Sequence, residues 1–215
     1  MVELWAHTLL VAHRDEEEKL NVDISQVPPG TPGVTHGSGV AGELIRYATQ
    51  SWAGHAVTYI GGGQIVEGTA PCTRIAPAAS HDDTIWFYKM WDQLSIDVTG
   101  WWSPPPKGQL PDKQMIQAAQ LKMVARAHAL VGTPYDYMAY MGFAMEVLHL
   151  RNGTQMESAF KQDDWRVCSA DVIDEMTFSG IHVDWNRVKL ANVGDDPNLV
   201  SPSMLLQYAT TLGWV

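Results

Sequence analysis

The spacing of apolar and polar residues along the chain predicts several helices. Five segments carry apolar residues at helical spacing: residues 40–52, 113–131, about 137–150, 168–180 and 202–212. Gly132 and Pro134 follow the second of these segments and would end that helix. Ser201 and Pro202 form a typical N-cap and first-turn pair at the start of the last one.

Other segments carry the patterns of strands and loops. Runs rich in β-forming residues predict three strands, at residues 55–60, 64–69 and 84–90. Residues 4–13 fit either a strand or a short helix, and the charged run 15–19 fits a solvated segment. Proline and glycine predict a loop over residues 27–39 and a rigid extended loop over residues 99–112.

The first two strands form a predicted hairpin around Gly61–Gly63. If these three glycines are the loop, Ile60 faces Gln64 and Val57 faces Glu67. His55 shares a face with Val57, so Glu67 becomes its diagonal neighbour and lies within reach of the imidazole. A loop of even length would place Glu67 on the opposite face.

The domain organisation follows from the lack of any internal repeat or clear linker. One α+β domain over residues 1–215 is the simplest interpretation, with an N-terminal extension at 1–39 and a Trp/Pro-rich insertion at about 91–112. With 46% hydrophobic and 18% charged residues, the composition is that of a globular protein.

Charge and hydropathy exclude several classes of partner. The formal net charge is −10, and no Lys/Arg-rich run exists, which argues against nucleic acid as the partner. No apolar run approaches the roughly 20 residues of a transmembrane helix. The N-terminal segment lacks the basic region and cleavage site of a signal peptide, so we expect a cytoplasmic protein, or one carried on a virion if the gene is of phage origin.

Cys168 is the candidate nucleophile. It stands at the start of a predicted helix, where the helix dipole and the N–H groups of the first turn favour a thiolate. A buried, inert cysteine is the alternative that its position leaves open. Cys72, in a loop after a proline, is interpreted as structural, although a Cys72–Cys168 disulfide would remove the nucleophile.

His55 is the candidate general base, because an imidazole titrates near neutral pH. In the favourable hairpin register Glu67 would accept a hydrogen bond from this ring and fix its tautomer. The alternative for Glu67 is an ordinary carboxylate on the strand surface.

Metal and cofactor motifs are absent from the sequence. It contains no H-E-x-x-H, C-x-x-C, P-loop or G-x-G-x-x-G pattern, so we expect no metal and no nucleotide cofactor. His81, Asp82 and Asp83 are interpreted as a solvated turn.

Four segments in order resemble those of a known family. They are ELIRYATQSWAGHAVTYIGGGQIVEGT (43–69), GTPYDY (132–137), VCSADVI (167–173) and LVSPSML (199–205). This order is similar to that of circularly permuted NlpC-type papain-like cysteine hydrolases, the YiiX-like branch, with lecithin:retinol acyltransferases as more distant relatives. The resemblance covers about residues 43–206.

The resemblance implies a Cys168–His55–Glu67 triad on an antiparallel sheet packed against helices. It implies chemistry at an amide or acyl carbonyl through a thioester, without a metal. Ala170-Asp171 departs from the family pattern, in which Glu-Leu is usual.

Three further residues are candidate substrate-binding groups: Tyr135, Trp52 and Ser169. Tyr135 and Asp136 match the Tyr-Asp pair of the family. A buried tyrosine packed on the sheet and an aspartate capping the 137–150 helix explain that pair equally well. A core position is also the alternative for Trp52.

Three functions remain open on these grounds. The first is a cysteine peptidase or amidase that acts on a small peptide, for example a cell-wall peptide. The second is a lipid-directed thiol acyltransferase or lipase. The third is a non-catalytic structural or interaction protein, such as a phage component, on the same fold.

Overall fold

The computed structural model describes most of the central and C-terminal chain. The described residues are 23–37, 42, 43, 45, 46, 49, 51–81, 85–91, 112–136, 166–181 and 200–214, with the backbone of 95, 96, 102 and 103. The predictions for residues 4–13, 15–19 and 137–150 lie outside them. The architecture is α+β, as the sequence predicts.

Five strands form the main antiparallel sheet. They are β1 (Thr31–Thr35), β2 (His55–Gly61), β3 (Gln64–Glu67), β4 (Arg74–Pro77) and β5 (Trp86–Phe87). Their order across the sheet is β4-β3-β2-β1-β5. A separate antiparallel pair joins β6 (Ser95–Ile96) to β7 (Trp102–Ser103), so the predicted insertion contains a two-stranded sheet.

The predicted loop at 27–39 is wrong over its central residues, because β1 lies there. All five residues of β1 are buried, and the strand pairs with β2 on one side and β5 on the other. Its proline lacks an N–H, but the Pro32 carbonyl accepts a hydrogen bond from the Tyr88 N–H at 2.9 Å. Tertiary burial therefore overrides a composition that is typical of turns.

The hairpin register is confirmed where it matters for the site. Val57 pairs with Glu67, as the sequence predicts. The predicted Ile60–Gln64 pair is wrong, because Gly61 pairs with Gln64 across a local irregularity. Gly62 and Gly63 have φ of 62° and 73°, so this tight turn needs residues without a side chain.

The outer strands differ from the prediction. Within the described part of the predicted strand 84–90, residues 85–90, only Trp86 and Phe87 form a strand, β5, which pairs with β1. The sequence did not indicate β4, whose four residues pair with β3 at the opposite edge. Short edge strands with mixed polarity carry little periodic pattern, which explains why β4 was missed.

Three predicted helices are confirmed with their caps. They are α1 (Lys113–Leu130), α2 (Cys168–Ser179) and α3 (Pro202–Thr211). The Ser201 hydroxyl accepts from the Met204 N–H at 3.2 Å at the start of α3. Gly180 ends α2 in a left-handed conformation with φ 96°. Helical conformation is also found at Gly42, Glu43, Ile45, Arg46 and Thr49, within the predicted segment 40–52.

The core lies between the sheet and α2. This helix packs on β2 and on α1, and most of its twelve residues are buried. Val34 and Ala56 from the sheet join Met123 and Met176 from the helices in one apolar cluster. Within the described residues no helix combines the length and apolar character that crossing a membrane requires.

One carboxyl group lies inside this core. Glu175 on α2 is 1% exposed and accepts a hydrogen bond from the Thr58 hydroxyl on β2. Burial raises the pKa of Glu175 well above its ordinary value. The folded protein therefore keeps this side chain protonated at pH values at which the unfolded chain ionises it.

We predict that E175Q weakens the dependence of stability on pH. For a pKa raised by folding, stability is present below the unfolded-state value and is lost as pH rises, by up to about 1.4 kcal/mol per pH unit. The amide of E175Q still accepts from Thr58 but cannot ionise. In urea unfolding, E175Q should gain stability relative to wild type as pH rises above the ordinary glutamate pKa of about 4.3.

Exposed Glu43 provides the matched control. E43Q should follow the wild-type pH profile, because its carboxylate is exposed in the folded protein. Parallel profiles of E175Q and wild type would contradict a protonated Glu175.

Candidate active site

The start of α2 lies against the end of the β2–β3 hairpin. Gly68 directly follows β3, and a Cβ placed on it would lie 3.0 Å from the Cys168 Cα and 2.9 Å from Asp171 Oδ2. Real Cβ atoms rarely approach other atoms so closely. The glycine therefore lets the first turn of α2 approach the end of the strand that carries Glu67.

Cys168 is the first residue of α2, as the sequence predicts. Its N-cap residue, Val167, makes no side-chain hydrogen bond to the first turn. Both Cys168 and Cys72 are free thiols, which rules out the disulfide between them. The sulfur thus lies where a helix N-terminus stabilises negative charge.

His55, the first residue of β2, connects Cys168 to Glu67. Its Nε2 lies 2.9 Å from Glu67 Oε2, which is the contact that the hairpin register predicts. The ring also donates a hydrogen bond to Cys168. Because Glu67 engages Nε2, Nδ1 is the ring nitrogen that remains available to the sulfur. The three residues thus form a chain of thiol, imidazole and carboxylate.

Glu67 receives two further polar partners. His81 Nε2 lies 2.8 Å from the same Oε2 atom that contacts His55, and Arg74 donates to Oε1 at 2.9 Å. The Glu67 residue is only 2% exposed. A buried carboxylate needs such donors, because burial without them strongly disfavours its charged form.

The electrostatics of the site favour a charged pair. Burial by itself lowers the pKa of His55, but the negative charge of Cys168 and the hydrogen bonds to Cys168 and Glu67 raise it to about 10. Burial raises the pKa of Glu67, yet hydrogen bonds from His55 and His81 hold it well below its ordinary value. The arrangement is therefore suited to a thiolate, an imidazolium and an ionised carboxylate.

Tyr135 reaches the same sulfur from a separate segment. Its N–H donates to the Pro71 carbonyl at 3.0 Å, and the Asp136 N–H donates to the Arg166 carbonyl at 2.9 Å. These bonds tie residues 134–136 between the loop after β3 and the residues before α2. The buried Tyr135 hydroxyl donates to Cys168; burial, together with the negative charge of Cys168, raises its pKa well above the ordinary value.

Asp171 supports the start of α2. It is 2% exposed, and its carboxylate accepts from the Thr73 hydroxyl at 2.7 Å and from Arg166 Nε at 2.9 Å. Burial raises the pKa of Asp171, and the hydrogen bond from Thr73 opposes that shift. The Asp171 side chain therefore links α2 to the connection between β3 and β4, which carries Thr73. Through Arg166 it also links α2 to residues 134–136.

The other two candidate substrate-binding residues contact groups other than the sulfur of Cys168. Ser169 is fully buried, and its hydroxyl donates to the Val200 carbonyl, which favours a role in holding α2 to the C-terminal segment. Trp52 is half-buried and packs against the core cluster, with its ring 4.7 Å from that of Trp86. Neither contact indicates substrate binding, so the substrate-binding role of these two residues stays a prediction.

His81 is the site residue that the sequence did not indicate. The interpretation of this histidine as part of a solvated turn is wrong, because it ends the 3₁₀ helix Ala78–His81 and its largely buried ring contacts Glu67. The rings of His81 and His55 stack with centroids 5.7 Å apart. If β4 had been predicted, the return of the chain along β3 would have indicated that His81 lies near Glu67. The sequence of β4 is too short to show a strand pattern.

Comparison with known proteins adds no family assignment. A scan against protein-family models finds no match, and no curated protein matches the sequence. The geometry of the site therefore carries the functional argument.

Two buried tyrosines give a matched test of the hydrogen bond to Cys168. Y135F removes a hydroxyl that donates to the sulfur and should lower the free energy of unfolding by about 1 kcal/mol. Y88F removes a hydroxyl that is buried without a hydrogen-bond partner among the described residues, so it should leave stability unchanged or raise it. Urea unfolding of the two variants measures this difference in sign.

The two variants lose the same atom, so differences in size cannot explain the result. Equal destabilisation by Y135F and Y88F would contradict a specific bond between Tyr135 and Cys168.

Proposed function

We propose that the chain is a cysteine hydrolase of the peptidase or amidase type, with Cys168 as nucleophile, His55 as acid and base, and Glu67 as the residue that orients His55. The observation that carries this proposal is the continuous hydrogen-bonded chain from Cys168 through His55 to Glu67. Thiol, imidazole and carboxylate are the groups that nucleophilic catalysis at a carbonyl requires.

The acylation step uses the sulfur and one ring nitrogen. The Cys168 thiolate attacks the substrate carbonyl carbon and forms a carbon–sulfur bond. The His55 imidazolium then gives its Nδ1 proton to the leaving amine as the carbon–nitrogen bond breaks. The product of this step is a thioester on Cys168, with His55 now neutral.

Deacylation returns the proton. Neutral His55 accepts a proton from water at Nδ1, and the resulting hydroxide attacks the thioester carbonyl. The acid is released, and Cys168 leaves as the thiolate. Glu67 keeps Nε2 protonated through both steps, so that Nδ1 is the nitrogen that exchanges protons.

The developing oxyanion needs donors in both steps. The N–H groups in the first turn of α2 point toward the helix start, and the Tyr135 hydroxyl is a donor next to the same sulfur. Tyr135 thus has a role in this proposal as an oxyanion donor, in addition to its structural bond in the resting site.

The fold supports a permuted papain-like assignment as part of the proposal. The histidine and glutamate strands precede the cysteine helix in the chain, and that helix packs on the antiparallel sheet that carries them. An amide in a small peptide is the substrate class that this resemblance favours. Acyl transfer to or from a lipid would begin with the same thioester.

Access to the sulfur limits the size of the first reactant. Cys168 is 1% exposed, so a substrate reaches the thiol only when neighbouring side chains move. Small activated amides and esters are therefore the appropriate first probes, followed by cell-wall peptides and acyl lipids.

We predict that C168A abolishes hydrolysis of such probes, with kcat/KM reduced at least about a thousandfold. E67Q should also lower kcat/KM, but less than C168A, because orientation of the base contributes less than the nucleophile itself. Steady-state hydrolysis measures both effects, and mass spectrometry of the wild type should detect the thioester on the peptide that contains Cys168.

Cys72 is the matched control, since it is the other free thiol of the chain. C72A should retain wild-type kcat/KM. Hydrolysis that survives in C168A would contradict the proposed nucleophile, and the absence of hydrolysis in the wild type on all probes would favour a non-catalytic protein.

A further inference from the structure

We propose that His55, Glu67 and His81 form a binding site for one transition-metal ion, with Zn²⁺ as the best match, and that the bound ion arrests the thiol chemistry. Among the described residues, these three each offer one ligand atom, and the atoms lie within 4.8 Å of one another. The arrest rests on the proposed function, whereas the metal site does not.

The donor atoms already converge on one point. Nε2 of His55 and Nε2 of His81 lie 2.9 Å and 2.8 Å from Glu67 Oε2. Zn²⁺ binds nitrogen and oxygen at about 2.0–2.2 Å, so tetrahedral ligand atoms lie roughly 3.3 Å apart. Each contact therefore has to lengthen by roughly half an ångström, which side-chain rotation can supply without a change in the strands.

The three candidate ligands come from three different elements of the fold. His55 begins β2, Glu67 ends β3, and His81 ends the 3₁₀ helix that follows β4. They lie 12 and 14 residues apart in sequence, so no short metal motif is present. Adjacent strands, rather than a helix repeat, bring the ligands together.

The surroundings of Glu67 suit a metal-binding carboxylate. Arg74 holds Oε1 and leaves Oε2 directed at both imidazoles. Ligating carboxylates are commonly held by such an outer hydrogen bond. The positive charge of Arg74 also reduces the affinity for a cation, so we expect a reversible site rather than a permanent structural one. Two nitrogen donors favour Zn²⁺, Cu²⁺ and Ni²⁺ over Mg²⁺ and Ca²⁺.

Metal binding has a defined effect on His55. The ion replaces the Nε2 proton of each imidazole: in a neutral ring that proton moves to Nδ1, and in an imidazolium it leaves to solvent. Metal-bound His55 then carries its proton on Nδ1, the nitrogen that Glu67 does not engage. It has no free nitrogen lone pair to accept a proton from water, so deacylation stops.

The sulfur is not a ligand in this arrangement. Within the described part of the chain, the sulfur of Cys168 is not among the ligand atoms that lie within 4.8 Å of one another. The metal site is therefore separable from the nucleophile, and a variant without the thiol should still bind the ion.

Calorimetric titration of Zn²⁺ into the full chain tests the site directly. We expect wild type and C168A to bind the same number of ions, and H81Q to lose one ion or bind it at least about tenfold more weakly. H128Q is the matched control, because His128 is an exposed histidine on α1, and it should bind as wild type does. Unchanged binding by H81Q would overturn the site, and loss of binding in C168A would place the metal on the sulfur instead.

Hydrolysis with and without Zn²⁺ tests the arrest. Zn²⁺ should abolish wild-type turnover, and EDTA should restore it. The residual turnover of H81Q should persist at Zn²⁺ concentrations that abolish turnover by the wild type. Faster turnover with Zn²⁺ would overturn the arrest. If wild type hydrolyses no probe, the proposed function fails, but calorimetry still decides the metal site.

Discussion

The buried carboxylate of Glu67 and the donors that surround it are the interaction on which the site depends. A carboxylate that is 2% exposed stays ionised only if hydrogen bonds replace its lost hydration. His55, His81 and Arg74 supply them, each from a different position in the chain. The same bonds that make this charge tolerable also fix the ring of His55, and the ring in turn faces Cys168.

The placement of the sulfur depends on a steric constraint as well. Gly68, next to Glu67, leaves no space for a Cβ against the first turn of α2. Thr73 and Arg166 hold Asp171 on that same turn. The start of α2, the β2–β3 hairpin and the connection between β3 and β4 therefore meet at one point, and Cys168 lies there. Any substitution that separates α2 from the hairpin should lower activity, even at a distance from the sulfur.

Much of this site could be predicted from local sequence patterns. The pairing of Val57 with Glu67 follows from the length of the glycine turn and the alternation of the strands, and it places Glu67 beside His55. The start of α2 at Cys168 follows from the helical spacing of the residues behind it. These features depend on neighbours within about a dozen residues.

The features that were not predicted depend on tertiary packing. β1 is a strand because two other strands pair with it, although its Pro and Gly residues are typical of a loop. His81 contacts Glu67 because β4 returns the chain along β3, and β4 is too short to be seen as a pattern. His81 also completes, with His55 and Glu67, the group for which we propose a metal ion.

The thiolate absorbance of the metal-free protein in the ultraviolet tests the central claim most directly, since it needs neither a substrate nor access to the buried sulfur. At neutral pH the wild type should absorb more than C168A by the contribution of one thiolate, and H55Q should lose that excess while C72A keeps it. Equal absorbance of wild type and C168A would show that Cys168 is an ordinary thiol and would contradict its activation by His55 and Glu67.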